Sequence, residues 1–136
     1  MIDSITFIAP APSKLADEFY SFAQEGKLCI QQCADCQTYH HIPRERCADC
    51  GSFDLGWSQV SGLGTLFSWT ETSTPPLPSL QNDVPFIVAL IELKEGPRMI
   101  GRLVGVANDD LKVGQPLKAR MERLTPEFSL TVFEPA

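Results

Sequence analysis

The sequence lacks any apolar run long enough to cross a membrane. Its longest, Phe86–Ile91, has the length of a strand, whereas a spanning helix needs about 20 apolar residues. The first residues also lack the basic stretch before an apolar segment that typifies a secretory signal. We therefore expect a cytoplasmic protein.

Basic residues and catalytic motifs are also scarce. The 136 residues include 17 acidic and 11 basic ones, which gives a net charge of −6. Binding to a phosphate backbone depends on clustered Lys and Arg, so this balance argues against a general nucleic-acid binder. The sequence has no serine nucleophile elbow, phosphate-binding loop or paired carboxylates. No catalytic residue is therefore predicted.

The spacing of the cysteines indicates a metal-binding site. Four of the five cysteines form two CxxC pairs separated by ten residues. Each pair can direct two thiolates to one point, and four thiolates around one ion leave no open coordination position. We therefore predict a structural zinc site, with iron in a rubredoxin-type site as the alternative that ligand type also allows. The predicted metal ligands are Cys33, Cys36, Cys47 and Cys50.

Three further residues near this motif need an interpretation. Cys29 is a lone thiol, and such a cysteine is most often a small buried hydrophobe; a spare ligand or a redox role is the alternative. His40 and His41 lie midway between the two pairs. Because four cysteines already satisfy the metal, we interpret them as a solvated or partner-facing pair rather than as acid–base groups.

A helix is predicted between Ser13 and Gly26. Ser13 suits the N-cap, and Gly26 stands just past the end. The apolar stripe is rich in aromatic residues, which suits core packing or, alternatively, the lining of a ligand tunnel or a partner surface. Its members are Leu15, Phe19, Phe22 and Ala23, widened by Tyr20.

From Val60 onward, β-forming residues alternate with turn residues at regular intervals. A long first strand, a tight hairpin between the second and third strands and a longer connection before the fourth are typical of a closed OB-fold barrel. In the first strand, strict alternation would place Phe67 and Trp69 on the same face. The five strands are predicted at 62–72, 86–93, 98–104, 117–123 and 128–133.

The predicted fold is therefore mainly β. It has an N-terminal helix, a rubredoxin-like four-cysteine zinc ribbon and a C-terminal five-stranded OB-fold barrel. We place the helix and ribbon in a domain of residues 1–59 and the barrel in a domain of residues 60–136.

This order of parts resembles the bacterial and archaeal family called domain of unknown function 35, zinc-ribbon plus OB-fold proteins associated with acyl-CoA enzymes. The resemblance covers nearly the whole chain. It is carried by the two cysteine pairs, by Ile42-Pro43-Arg44 between them, by Ser61–Ser68 at the start of the barrel and by Leu111–Leu117 before the fourth strand.

Members of that family look like small, usually non-catalytic subunits that dock on thiolases, thiolase-like aldolases or hydroxymethylglutaryl-CoA synthases. The resemblance therefore implies an accessory or scaffold subunit that forms a hetero-oligomer with a thiolase-fold enzyme and helps to shape its acyl-CoA channel. It also implies a structural zinc ion on the four cysteines and makes acyl-CoA a candidate ligand. The residues nominated for the channel or the partner surface are Phe19, Tyr20, Phe22 and Arg44.

Two other functions are compatible with parts of the sequence. A single-stranded nucleic-acid-binding OB-fold protein is the main alternative, although Arg102, Lys118 and Arg120 make only a thin basic footprint. An autonomous acyl-CoA hydrolase or dehydratase would need a base, an oxyanion site and a pocket.

Overall fold

The structure is a computed structural model that describes residues 10–136. Residues 1–9, on which the expectation about a secretory signal was based, lie outside the described residues. No helix within the described part of the chain is long and apolar enough to cross a membrane. In chain order, the elements are helix α1 (Lys14–Gln24) and strands β1 (Cys29–Cys33), β2 (Tyr39–His40), β3 (Leu55–Gln59), β4 (Leu63–Thr72), β5 (Phe86–Leu93), β6 (Arg98–Leu103), β7 (Pro116–Thr125) and β8 (Phe128–Pro135).

Helix α1 begins and ends where its capping residues predict. The Ser13 hydroxyl accepts a hydrogen bond from the backbone N–H of Ala16 at 3.3 Å. At the other end, Gly26 adopts a φ of +79°, a left-handed conformation that glycine enters without steric cost. Lys27 N–H then donates at 2.9 Å to the Phe22 carbonyl, which also accepts from the Glu25 N–H at 3.0 Å, as is typical of a helix C-terminus that ends in glycine.

The ribbon is a small antiparallel sheet with the strand order β2-β1-β3. Strand β1 lies in the centre, pairing Gln31 with His40 on one side and Trp57 on the other. The pairing with β3 brings the two cysteine pairs to the same end of the sheet, because Cys33 lies opposite Leu55. The sheet therefore supports both halves of the cysteine motif.

The remaining strands form a closed barrel with the order β4-β5-β6-β8-β7. Strand β4 closes it by pairing with both β5 and β7, and the one parallel pair among the described strands joins β6 to β8. The predicted hairpin is present, since Leu93 N–H donates to the Pro97 carbonyl at 2.9 Å. The mainly β fold class and the five-stranded barrel are confirmed.

Strand β4 differs from the predicted alternation at one residue. Leu66 pairs with Ile91 and Ser68 with Leu90, so Phe67 is an extra residue in a β-bulge. Beyond the bulge the two faces exchange, and Trp69 packs against the core together with Leu66. The expectation that Phe67 and Trp69 share a face is wrong, because Phe67 points outward and is 43% exposed.

One apolar core joins the helix, the ribbon and the barrel. Val60, between β3 and β4, is buried and donates its N–H to the Leu28 carbonyl at 2.9 Å. The division into domains at residues 59 and 60 stays a prediction, and the packing crosses it. The buried members of this core are Phe19, Leu28, Ile30, Val60, Leu66, Ile87, Ala89, Ile91, Leu93, Met99, Leu103, Leu111, Leu117 and Phe133.

Replacing a glycine in the barrel wall should lower stability only where a neighbouring strand lies close to it. A Cβ on Gly64 would lie 2.6 Å from the Glu92 carbonyl oxygen, whereas a Cβ on Gly56 in β3 would meet nothing within 4 Å. We expect Gly64→Ala to lower the free energy of unfolding by about 1–3 kcal/mol, because the rigid backbone of β5 must shift. The control Gly56→Ala should stay within about 0.5 kcal/mol of wild type. Equal denaturant midpoints for the two variants would contradict the described approach of β4 to β5.

Candidate metal centre and adjoining pocket

The four cysteines of the two CxxC pairs form one cluster. Their sulfurs all lie within 4.8 Å of one another, with 3.6 Å between Cys33 and Cys50 and 3.6 Å between Cys36 and Cys47. A tetrahedral ion with zinc–sulfur bonds of about 2.3 Å would hold its sulfurs about 3.8 Å apart. The cluster therefore suits a four-coordinate structural metal ion.

The two cysteine pairs adopt matching turns. Gln37 N–H donates to the Cys33 carbonyl at 2.9 Å, and Gly51 N–H donates to the Cys47 carbonyl at 3.0 Å. Gln37 and Gly51, each directly after the second cysteine of its pair, have φ values of +66° and +80°. Such turns bend the backbone tightly enough to aim both sulfurs of a pair at one point.

The thiol pKa values show what a cation would contribute to the cluster. Hydrogen bonds from Thr38 lower the pKa of Cys36 to about 6. A backbone hydrogen bond from Ser52 lowers the pKa of Cys50, but desolvation and the other three thiols outweigh it and raise the value to about 12. Four thiolates this close together would repel one another, so some of the thiols keep their protons. A divalent cation at the centre would replace those protons and offset the repulsion between the thiolates.

The interpretation of His40 as a solvated or partner-facing residue is wrong. Its side chain is buried, at 8% exposure, and its Nε2 lies 3.1 Å from the Sγ of Cys47. The short strand β2 places it there by pairing His40 with Gln31 of β1. No pattern in the linker reveals this contact, since β2 is only two residues long.

His41 lies apart from the cysteines. Its ring is 5.3 Å from the ring of Phe19 on α1. Burial lowers its pKa below the ordinary value, so the imidazole is neutral at neutral pH.

Cys29 is a buried thiol outside the cluster, in agreement with the interpretation of it as a small hydrophobe. It is 4% exposed, and burial raises its pKa. A buried protonated thiol is a weak nucleophile and a poor ligand.

A buried amide fixes the linker between the cysteine pairs. The side chain of Gln31, 3% exposed, donates to the Arg44 carbonyl at 2.7 Å and accepts from the Arg44 N–H at 2.8 Å. These two bonds hold the Arg44 backbone against β1, while the Arg44 side chain is exposed. The preceding residues of the linker, 41–43, are thereby held beside α1.

A pocket of about 560 Å³ lies between α1, residues 41–43 and the outer face of the barrel. Its volume is within the range of small-molecule sites, roughly 300–1,000 Å³. Apolar side chains from all three parts face each other across it. They include Phe19, Tyr20 and Ile42 on one side and Leu90, Ile100 and Leu130 on the other.

Charged side chains lie on the barrel side of this pocket. Arg98 forms an ion pair with Glu92 at 3.1 Å, and its guanidinium stacks 3.8 Å from the ring centre of Phe67. Arg102 lies 5.5 Å from the ring centre of Phe86. Within residues 10–136, no carboxylate lies within ion-pair distance of Arg102. It therefore remains able to pair with an anion.

The residues nominated from the sequence separate into two groups. Phe19 and Tyr20 line the pocket. Phe22 packs on Trp57, with 5.7 Å between ring centres, and the Arg44 side chain does not line the pocket. Sequence reasoning missed the barrel side, where Arg98, Ile100 and Arg102 alternate outward along β6. An isoleucine between two arginines on an exposed strand face is the pattern that could have indicated it.

Two family models match the chain. The one described as the ChsH2 rubredoxin-like zinc ribbon domain matches residues 21–56, and the one described as the ChsH2 C-terminal OB-fold domain matches residues 57–122. The two matches together contain the whole cysteine cluster and most of the barrel.

Curated relatives resemble between two thirds and nearly all of this chain. A probable enoyl-CoA hydratase alpha subunit from Thermomonospora curvata is 37% identical over 95% of this chain and 40% of its own length. A DUF35 domain-containing scaffold protein from Methanocaldococcus jannaschii is 27% identical over 68% of this chain and 66% of its own length. The chain spans about two fifths of the length of the hydratase subunits that it matches.

A solved structure described as the Ltp2-ChsH2(DUF35) aldolase matches nearly the whole chain. It is 36% identical with a TM-score of 0.85, and the match covers 93% of this chain and 98% of that chain. Fold, cysteine cluster and sequence identity agree over the same residues. This chain therefore belongs to the family of zinc-ribbon and OB-fold proteins that includes ChsH2 and is called domain of unknown function 35.

Proposed function

We propose that this chain is a non-catalytic accessory subunit that docks on a thiolase-like acyl-CoA enzyme and helps to shape its acyl-CoA channel. The observation that carries the proposal is the pocket between α1, residues 41–43 and the barrel, which is apolar and has two strongly exposed isoleucines on its walls. Ile42 is 70% exposed and Ile100 is 68% exposed. Apolar surface concentrated around a cleft typifies a site that a partner or ligand covers.

The names of the relatives are consistent with an accessory role in an acyl-CoA enzyme complex. One is named as a scaffold protein and others as subunits of CoA hydratases, while the matching structure is named as an aldolase with two components. Accordingly, we place the partner's contact surface at the mouth of the pocket and assign the chemistry to the partner.

The pocket also suits one part of an acyl-CoA. Its apolar walls match an acyl chain, and Arg102 could pair with an anionic group at the charged side. Phe19 and Tyr20 keep their nomination as channel residues. Phe22 and Arg44 remain candidates for the partner surface, because both lie outside the pocket.

The barrel's charges disfavour the nucleic-acid alternative. OB-fold proteins commonly bind oligonucleotides on the face of the second and third strands, which here are β5 and β6. That face forms a wall of the pocket, and of its two arginines Arg98 is already paired with Glu92. Of the basic residues outside it, Lys118 and Arg120 form ion pairs with Glu134 at 3.7 and 3.2 Å, so they leave little positive charge for phosphates.

We further propose that Cys33, Cys36, Cys47 and Cys50 bind one Zn²⁺. The all-thiolate set and the sulfur spacing suit zinc, and two sulfurs belong to buried side chains, which protects a site with no catalytic position. In this role the ion stabilises a ribbon that has few apolar residues of its own.

Replacing one proposed ligand tests the metal site. We expect Cys47→Ser to bind less than one zinc per chain and to increase amide exchange over residues 27–59, because the second cysteine pair would no longer be tied to the first. Cys29→Ser is the matched control and should keep one zinc per chain. Zinc content by atomic emission and hydrogen–deuterium exchange provide the two measurements. An unchanged zinc content in Cys47→Ser would refute the ligand assignment.

A charged substitution on the pocket wall tests the docking proposal. The chain is coexpressed with candidate thiolase-like enzymes from the same genome, and complex formation is measured by size-exclusion chromatography and titration calorimetry. We expect wild type to form a stable complex, and Ile100→Asp to weaken it at least about 10-fold, because a carboxylate would be buried at the contact. Val113→Asp is the control, since Val113 is 73% exposed and lies outside the pocket. Equal weakening by both variants, or thioester turnover by the isolated chain, would contradict the proposal.

A further inference from the structure

His40 reaches the metal centre from the edge strand of the ribbon. Its Nε2 lies 3.1 Å from the Sγ of Cys47, and both side chains are buried, at 8% and 3% exposure. A buried thiolate has little access to water, so a nearby N–H donor is the group that can stabilise its charge. A neutral imidazole with its proton on Nε2 supplies such a donor.

A second hydrogen-bonding side chain from the same segment contacts the cluster. Thr38 and His40 are two residues apart, and residues at this spacing in extended backbone point to the same face. The Thr38 hydroxyl is hydrogen-bonded to the Cys36 sulfur at 3.3 Å. Each cysteine pair therefore has one side-chain partner from this short segment, Cys36 from Thr38 and Cys47 from His40.

The segment that follows His40 forms one wall of the pocket. Residues 41–43 line the pocket, and the next residue, Arg44, is fixed by two hydrogen bonds to the buried Gln31 side chain. The wall is thus held at two ends. Its C-terminal end is held by the side-chain amide of Gln31. Its N-terminal end follows His40, which contacts Cys47 of the cluster.

We propose that His40 is a positioning residue that donates its Nε2–H to the Cys47 thiolate of the metal-bound centre and thereby ties the metal ion to the pocket wall at residues 41–43. The inference rests on the proposed metal binding and does not depend on the partner. A chain that binds zinc but finds no partner would leave it standing.

Zinc retention tests the hydrogen bond. We expect zinc transfer from His40→Phe to a chromophoric chelator to show an affinity about 10- to 100-fold below wild type, since outer partners of metal ligands have effects of this size. His40→Gln, which can still donate an N–H, should recover part of the loss. Gln31→Leu is the control, because it removes the Arg44 anchor and should keep the wild-type zinc affinity. Wild-type zinc affinity in a folded His40→Phe variant would overturn the proposal.

Amide exchange tests the link to the pocket. In the zinc-loaded His40→Phe variant, we expect hydrogen–deuterium exchange over residues 40–44 to increase while strands β5 and β6 keep their protection. A purely local effect on zinc, with residues 40–44 protected as in wild type, would overturn the link.

The wild-type protein provides a test that needs no variant. In protein loaded with ¹¹³Cd and labelled with ¹⁵N, we expect the His40 imidazole to carry its proton on Nε2 and to show a scalar coupling between that proton and the metal through the sulfur. An imidazole protonated only on Nδ1 would overturn the proposal, because Nε2 would then have no hydrogen to donate.

Discussion

The helix, the ribbon and the barrel are held together by one shared apolar core. Ile30 enters that core from β1, Leu28 from the residue just before β1, and Phe19 from α1, and all three are buried together with the barrel residues. Burying a side chain of this size stabilises the fold by about 1.5–3 kcal/mol relative to exposure. The pocket has fixed walls for this reason. Its three sides belong to elements that are packed together beneath it.

Buried polar contacts add specific geometry to the elements that the apolar core holds together. Three polar residues are buried among those that the structure describes, Gln31, His40 and Ser129. Gln31 holds the linker, His40 contacts the cysteine cluster, and Ser129 donates to the Gln24 side chain at 2.8 Å and so ties α1 to β8. A buried polar group that lost its partner would be costly, which gives each contact a specific geometry. Gln31 and Ser129 thereby hold the linker and α1, which both form walls of the pocket.

The features that could be predicted from the sequence were those with local causes. Alternation and turn residues located the barrel strands to within a few residues, the Ser13 and Gly26 caps located α1, and the spacing of the CxxC pairs located the cysteine cluster. The contact of His40 with Cys47 and the bulge at Phe67 depend on how strands pair, which a single strand's pattern does not encode. The pocket was missed for the same reason. Phe19 and Ile100 are far apart in sequence, and only the shared core brings them to one cleft.

The position of the pocket explains how an OB-fold barrel can serve apolar ligands or partners. In many barrels of this type the face of the second and third strands is open and binds polar chains. Here α1 and the linker stand over that face and convert it into one wall of a cleft. The opposite wall is set by the identity of residues 41–43, which are held by the Gln31 amide and follow directly on the metal centre. Changes in this linker could therefore alter what the cleft accepts without disturbing the barrel, because the barrel's own core lies on the other face of its strands.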